Sequence, residues 1–135
     1  LYTSIIPNLL VKGIGQAVIR AKGEKIYIAN LMTQQGETSQ YTASQHIDAI
    51  HAHVGEPFIE SVLINEKELP STIYENYREE NAEPVKFDIE RIKGMGINII
   101  KKEIALIQNG TVRHDASNLA DWLCEYTILK QQTMQ

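Results

Sequence analysis

Lys25-Ile26-Tyr27-Ile28-Ala29-Asn30-Leu31 is the stretch that decides the fold class. Its apolar, β-branched and aromatic residues fall on both parities, so neither face of an extended chain would be polar. That pattern suits a strand covered on both sides, which is the situation of a central strand in a parallel sheet. Gly23 supplies the turn before it, and the polar run from Met32 to Tyr41 follows. Parallel strands need a crossover connection, and the sequence provides one. Thr42 is placed to cap a helix with Ala43, Ile47, Ile50 and Val54 on one face and Gly55 as its stop.

The same alternation continues downstream. Ser61 to Asn65 reads as a strand, Ser71 as the cap of a helix running to about Glu80, and Glu83 to Phe87 as another strand. Asp88 is placed to cap a short helix ended by Gly94-Met95-Gly96, with a further strand from Ile97 to Lys101. Near the end the pattern changes. Asn109-Gly110, flanked by Ile104 to Ile107 and Thr111 to Arg113, fits a type I′ hairpin. A last helix then begins at Asp115 and buries Leu119, Trp122, Leu123 and Tyr126. Upstream, Ser4 to Ala21 has near-helical apolar spacing, with a break expected at Gly13-Ile14-Gly15. The fold class is therefore α/β: a three-layer αβα sandwich around a mostly parallel sheet, with a β-hairpin near the C-terminus.

Composition limits the function. A chain of 135 residues holds one domain or part of one, and 43% apolar with 22% charged residues is ordinary for a globular protein. A net charge of -4 argues against a nucleic-acid partner, which would call for clustered Lys and Arg. No apolar run is long enough for a membrane span. The single cysteine, Cys124, cannot form an intramolecular disulfide, and a reducing, cytoplasmic setting is expected. Leu1 in place of an initiating methionine makes a longer parent chain the expectation.

In open α/β sheets ligands bind beyond the carboxyl ends of the strands. Two segments have that address. The loop from Asn30 to Thr38 offers Asn30, Thr33, Gln34, the backbone around Gly36, Glu37 and Thr38 to a ribose, sugar or phosphate; Glu37 could act as a base or help hold a metal ion. The plainer alternative is a solvated βα loop. The second segment, Val112-Arg113-His114-Asp115, pairs a guanidinium with a histidine beside a helix start, which suits an anion. There the alternative is that Asp115 caps the helix and pairs with Arg113. His46, His51 and His53 lack the i, i+4 spacing of a metal pair and read as surface or boundary residues. No metal site is evident, and neither Cys124 nor Ser4 has the surroundings of a nucleophile.

Leu1 to Val11, Met32-Thr33-Gln34 with Gly36-Glu37-Thr38 and Tyr41-Thr42-Ala43, and Val112-Arg113-His114-Asp115 together resemble the YvcK/CofD-like family. Within that family the sequence is most similar to the gluconeogenesis factors, and the resemblance runs from Leu1 to about Leu129. It implies a Rossmann-like fold, with residues 1–135 forming the C-terminal part of a single CofD-like α/β domain whose glycine-rich N-terminal half lies outside this sequence. It adds Tyr2, Thr3 and Ser4 to the candidate site, beside the Met32 to Thr38 loop and Arg113-His114.

For the gluconeogenesis-factor branch the resemblance implies binding of a nucleotide sugar such as UDP-N-acetylglucosamine. It also implies a role in carbon metabolism and cell-wall shape, and a homodimer of the full-length protein. For the CofD branch it implies transfer of a phospholactyl group to a deazaflavin, with a divalent metal such as Mg2+. A protein-interaction scaffold is the third alternative.

Overall fold

The computed structural model describes all of residues 1–135. β1 (Ile26–Ile28), β2 (Ser61–Asn65) and β3 (Asn98–Lys102) form one parallel sheet in the order β1-β2-β3. Register carries the burial pattern across all three strands. Tyr27, Val62 and Ile99 stand in one row, and Ile28, Leu63 and Ile100 in the next. Successive side chains of a strand point to opposite faces, so the first row joins one apolar cluster and the second row another.

Helices cover both faces. α1 (Ile6–Leu10), α3 (Ala43–Val54) and α5 (Ile89–Gly94) bring Ile6, Ile47, Ile50 and Ile92 onto the Tyr27 face. On the Leu63 face lie α4 (Ser71–Glu79), the antiparallel pair β4 (Ala105–Gln108) and β5 (Thr111–His114), and α6 (Ala116–Thr133). They contribute Ile73, Ala105, Val112 and Leu119, and Ile104 joins them from just before β4. The three-layer α/β architecture and the hairpin are as the sequence predicts. Asn109 and Gly110 both have positive φ, 51° and 74°, as a type I′ turn requires.

α3 has the capping box that Thr42 and Gln45 permit, and Gly55 ends it at φ 99°. The first helical stretch is indeed broken, between α1 and α2 (Ile14–Arg20), with Gly13 at φ 87° as the hinge. Gly15 lies inside α2, where a Cβ would stand 3.3 Å from Val54 Cγ1.

Several expectations are corrected. Within residues 1–135 β1 stands at the edge of the three-stranded sheet, where the sequence suggests a central strand; its apolar run reflects layers on both faces, which says nothing about pairing on both edges. Glu83 to Phe87 makes no regular strand, only isolated bridges from Pro84 to Met32 and from Lys86 to Thr42; Pro84 has no N–H to give a ladder. The cap of α4 is Pro70, with Ser71 its first residue. Asp88 is the N-cap residue of α5 as expected, but its side chain makes no cap bond there, because its carboxylate accepts hydrogen bonds from the Ser44 backbone N–H and hydroxyl at the start of α3. Trp122, Leu123 and Tyr126 are only half-buried on α6; Leu119 alone is buried. His46 is not at the surface: it is 0% exposed, with Nδ1 donating to Thr42 O.

Candidate functional site

The loop that leaves β1 is held from both ends by the segment after α4. Thr33 N–H donates to Glu83 O at 2.7 Å, Val85 N–H to Leu31 O at 3.0 Å, and Ala43 N–H to Lys86 O at 2.9 Å. Inside the loop Thr38 N–H and Glu37 N–H both donate to Gln34 O, while Thr38 Oγ1 accepts from Gln34 N–H. Gly36, at φ 77°, turns its N–H onto Ser39 Oγ. These bonds make the loop a rigid shelf rather than a floppy connection.

The second segment meets it across a cleft. Asn30, Leu31, Met32, Thr33, Gln34 and Gln35 form one wall, Val112, Arg113 and His114 another, and Tyr77, Glu80 and Ala82 a third, around a volume of about 660 Å³. That size is within the range of small-molecule sites, roughly 300–1,000 Å³. His114 Nε2–H donates to Ala29 O at 3.0 Å, which fixes the tautomer and leaves Nδ1 as an acceptor. Arg113 is exposed, and its guanidinium makes no ion pair. Asp115 does cap α6, accepting from Asn118 N–H, and does not pair with Arg113.

Tyr77 joins two walls, because its hydroxyl accepts from Val112 N–H at 2.9 Å. Asn30 Oδ1 accepts from Tyr27 O–H at 2.6 Å, which leaves its amide N–H groups for the cleft. Burial pushes the Tyr27 phenol above its usual range, although its bond to Asn30 works the other way. It therefore stays a neutral donor.

Asn30, Thr33, Gln34, Arg113 and His114 thus share one hollow, while the remaining candidates do not line it. Gly36, Glu37 and Thr38 belong to the shelf. Glu37 Oε2 is buried without a partner, and the Thr33 hydroxyl, 3% exposed, accepts from Glu83 N–H. Tyr2 packs edge-on against Tyr41 and His53, with Thr3 and Ser4 exposed beside it. Tyr77 and Glu80 are missing from the sequence-based set. Their three-residue spacing shows a shared helix face, but nothing in the sequence shows which strand end that face meets. No three His, Cys, Asp or Glu side chains converge as a metal cluster.

This arrangement has relatives. A family model described as 2-phospho-L-lactate transferase CofD matches residues 1–105. The chain belongs to the CofD family.

It is 46% identical to the gluconeogenesis factor of Bacillus subtilis over 131 residues, which is 97% of this chain and 41% of that protein. It is 40% identical to the gluconeogenesis factor of Halalkalibacterium halodurans, covering 93% of this chain and 39% of that one. A crystal structure of a UPF0052 family member from Bacillus halodurans superposes with a TM-score of 0.84 at 40% identity, over 89% of this chain and 39% of that one. This CofD-family chain therefore spans about two fifths of the length of the relatives it matches. No helix in it is long and apolar enough to cross a membrane.

Proposed function

We propose that the full-length protein binds a nucleotide sugar such as UDP-N-acetylglucosamine in the Arg113 cleft, as a cytoplasmic, homodimeric regulator of carbon metabolism and cell-wall morphogenesis. The observation that carries this reading is the meeting of Asn30, Gln34, Arg113 and His114 in one cleft beside the β1 loop. An uncommitted guanidinium grips a diphosphate with two parallel hydrogen bonds. Amides at Asn30 and Gln34, with the Glu80 carboxylate as an acceptor, suit the hydroxyl groups of a sugar or ribose. Residues 1–135 would supply the C-terminal part of one CofD-like domain, and the remainder of the domain the rest of the pocket. Calorimetric titration of the full-length protein with UDP-N-acetylglucosamine tests the reading. Saturable binding that Arg113→Ala weakens supports it, and affinity unchanged in that variant removes Arg113 from the site.

A transferase of the CofD type is the second reading, favoured by the description of the matching family and by Glu80 in the cleft. One carboxylate together with ligand phosphates is a common way to hold Mg2+, and Glu80 is the residue placed to do so. The chemistry such an ion supplies is neutralisation of charge on the transferring phosphoryl group. The protein's own contribution would be Arg113 on the diphosphate and Asn30 with Gln34 orienting the donor. A turnover assay with a phospholactyl nucleotide, a deazaflavin and magnesium separates the two readings: product formation establishes the transferase, and its absence in a folded protein that binds UDP-N-acetylglucosamine leaves the regulator.

A further inference from the structure

A second hollow opens on the other side of the last turns of α4. It encloses about 480 Å³ and is lined by Tyr74, Arg78, Asn81, Ala82 and Pro84 together with the loop residues Ser39 and Gln40 and with Glu83. Ala82 lines this hollow and the Arg113 cleft alike, so the two adjoin at that residue. Tyr77 and Arg78 are consecutive on α4, about 100° apart around the helix, and therefore serve one compartment each.

We infer that this hollow is a second subsite of the ligand site proposed above, on which it rests, and that it takes the planar base of the nucleotide while the Arg113 cleft takes the diphosphate and sugar. Three observations support it. First, Tyr74 is 50% exposed and stacks on no other aromatic ring, so one face is free; an aromatic face is the usual platform for a base. Second, Gln40 and Asn81 stand at the rim with amides that offer both donor and acceptor, which is what the edge of a base requires. Third, Gln40 holds a positive φ of 62° at this rim. Of the other non-glycine residues with positive φ, Asn109 is accounted for by its hairpin turn and Asn81, at 51°, by ending α4, where Ala82 N–H donates back to Tyr77 O. Gln40 alone has no such account, and costly backbone conformations collect at binding sites. Arg78, exposed and in no ion pair, lines the same hollow and offers it a guanidinium.

The test is calorimetry on the full-length protein with three probes: UDP-N-acetylglucosamine, UDP and N-acetylglucosamine 1-phosphate. Tyr74→Ala is expected to weaken both uridine probes by about tenfold, the scale of one lost base stack, and to leave the sugar phosphate unchanged. Tyr74→Phe keeps the ring and is expected to restore both affinities, whereas Arg113→Ala weakens all three probes. Tyr74 is half-exposed and outside both apolar clusters, so folding survives these changes. Uridine affinities unchanged in Tyr74→Ala, or equal losses for all three probes, overturn the subsite while the nucleotide-sugar reading stands. A wild-type protein that binds neither uridine probe overturns both.

Discussion

Asp88 ties the start of α3 to the segment before α5, and replacing it gives the sharpest test of that tie. Its carboxylate accepts from Ser44 N–H at 3.0 Å and from the Ser44 hydroxyl, at a residue with no exposed surface. In Asp88→Ala the hydroxyl can turn to Thr42 Oγ1, 3.2 Å away, so only the N–H is left wholly without a partner. An orphaned buried donor costs about 1–3 kcal/mol. Loss of a negative charge beside the first turn of α3 adds about 0.3–1 kcal/mol.

We therefore expect Asp88→Ala to destabilise the full-length protein by about 2–3 kcal/mol in urea unfolding followed by circular dichroism, and Asp88→Asn by roughly 1 kcal/mol, since an amide oxygen still accepts. The pH dependence has a definite sign. Burial pushes the Asp88 carboxyl up, but the hydrogen bonds from the Ser44 hydroxyl and N–H and from Thr42 outweigh it, and the net shift is downward. The unfolded chain therefore takes up the proton first. The contribution is complete above the ordinary aspartate value of about 4 and disappears as pH falls through the lower folded value. A loss below about 0.5 kcal/mol in Asp88→Ala, the usual scatter of surface substitutions, would refute the argument that this carboxylate anchors α3.

Three further outcomes are expected. Thr33→Val keeps the shape of a buried side chain but strips Glu83 N–H of its acceptor, so unfolding in urea should show a loss of about 1–3 kcal/mol. Leu63→Ala opens a cavity at a fully buried position on β2 and should cost about 2–5 kcal/mol by the same measurement. Burial lowers the His46 basicity, with the Thr42 bond opposing. The unfolded chain therefore protonates first as pH drops below about 6.5, and stability falls from there down to the lower folded value. Comparing unfolding at pH 7 and pH 5 should show that slope in the wild type and a shallower one in His46→Gln, where His51, its basicity also lowered by burial, still contributes.

The layers were legible because burial is periodic. Val62 and Ile64 against Leu63 on β2, or Ile47 and Ile50 on α3, advertise a covered face directly. Edges were not legible, since Ile26-Tyr27-Ile28 would look the same with one neighbouring strand or two. For Asp88 the sequence shows a good capping residue before a helix, while the partner it finds, Ser44, lies 44 positions away. Half of the cleft was readable for the same reason. Asn30 to Gln34 and Arg113-His114 carry ligand-type chemistry within short segments, whereas Tyr77 and Glu80 become site residues only once α4 is docked against the hairpin. The buried hydroxyl of Thr33 shows the opposite failure: a polar residue in a loop can be spent entirely on holding the loop.

β3 and β1 border the same sheet very differently. The outer rim of β3 ends in Lys101 and Lys102, charges that discourage a foreign strand from zipping on. β1 presents Ile26-Tyr27-Ile28 on the rim of these 135 residues, with Lys25 as its one flanking charge. Left bare in solution, that rim is a template for stacking molecule upon molecule, so recombinant production of these 135 residues alone should yield concentration-dependent assemblies that a charged substitution at Ile26 would suppress.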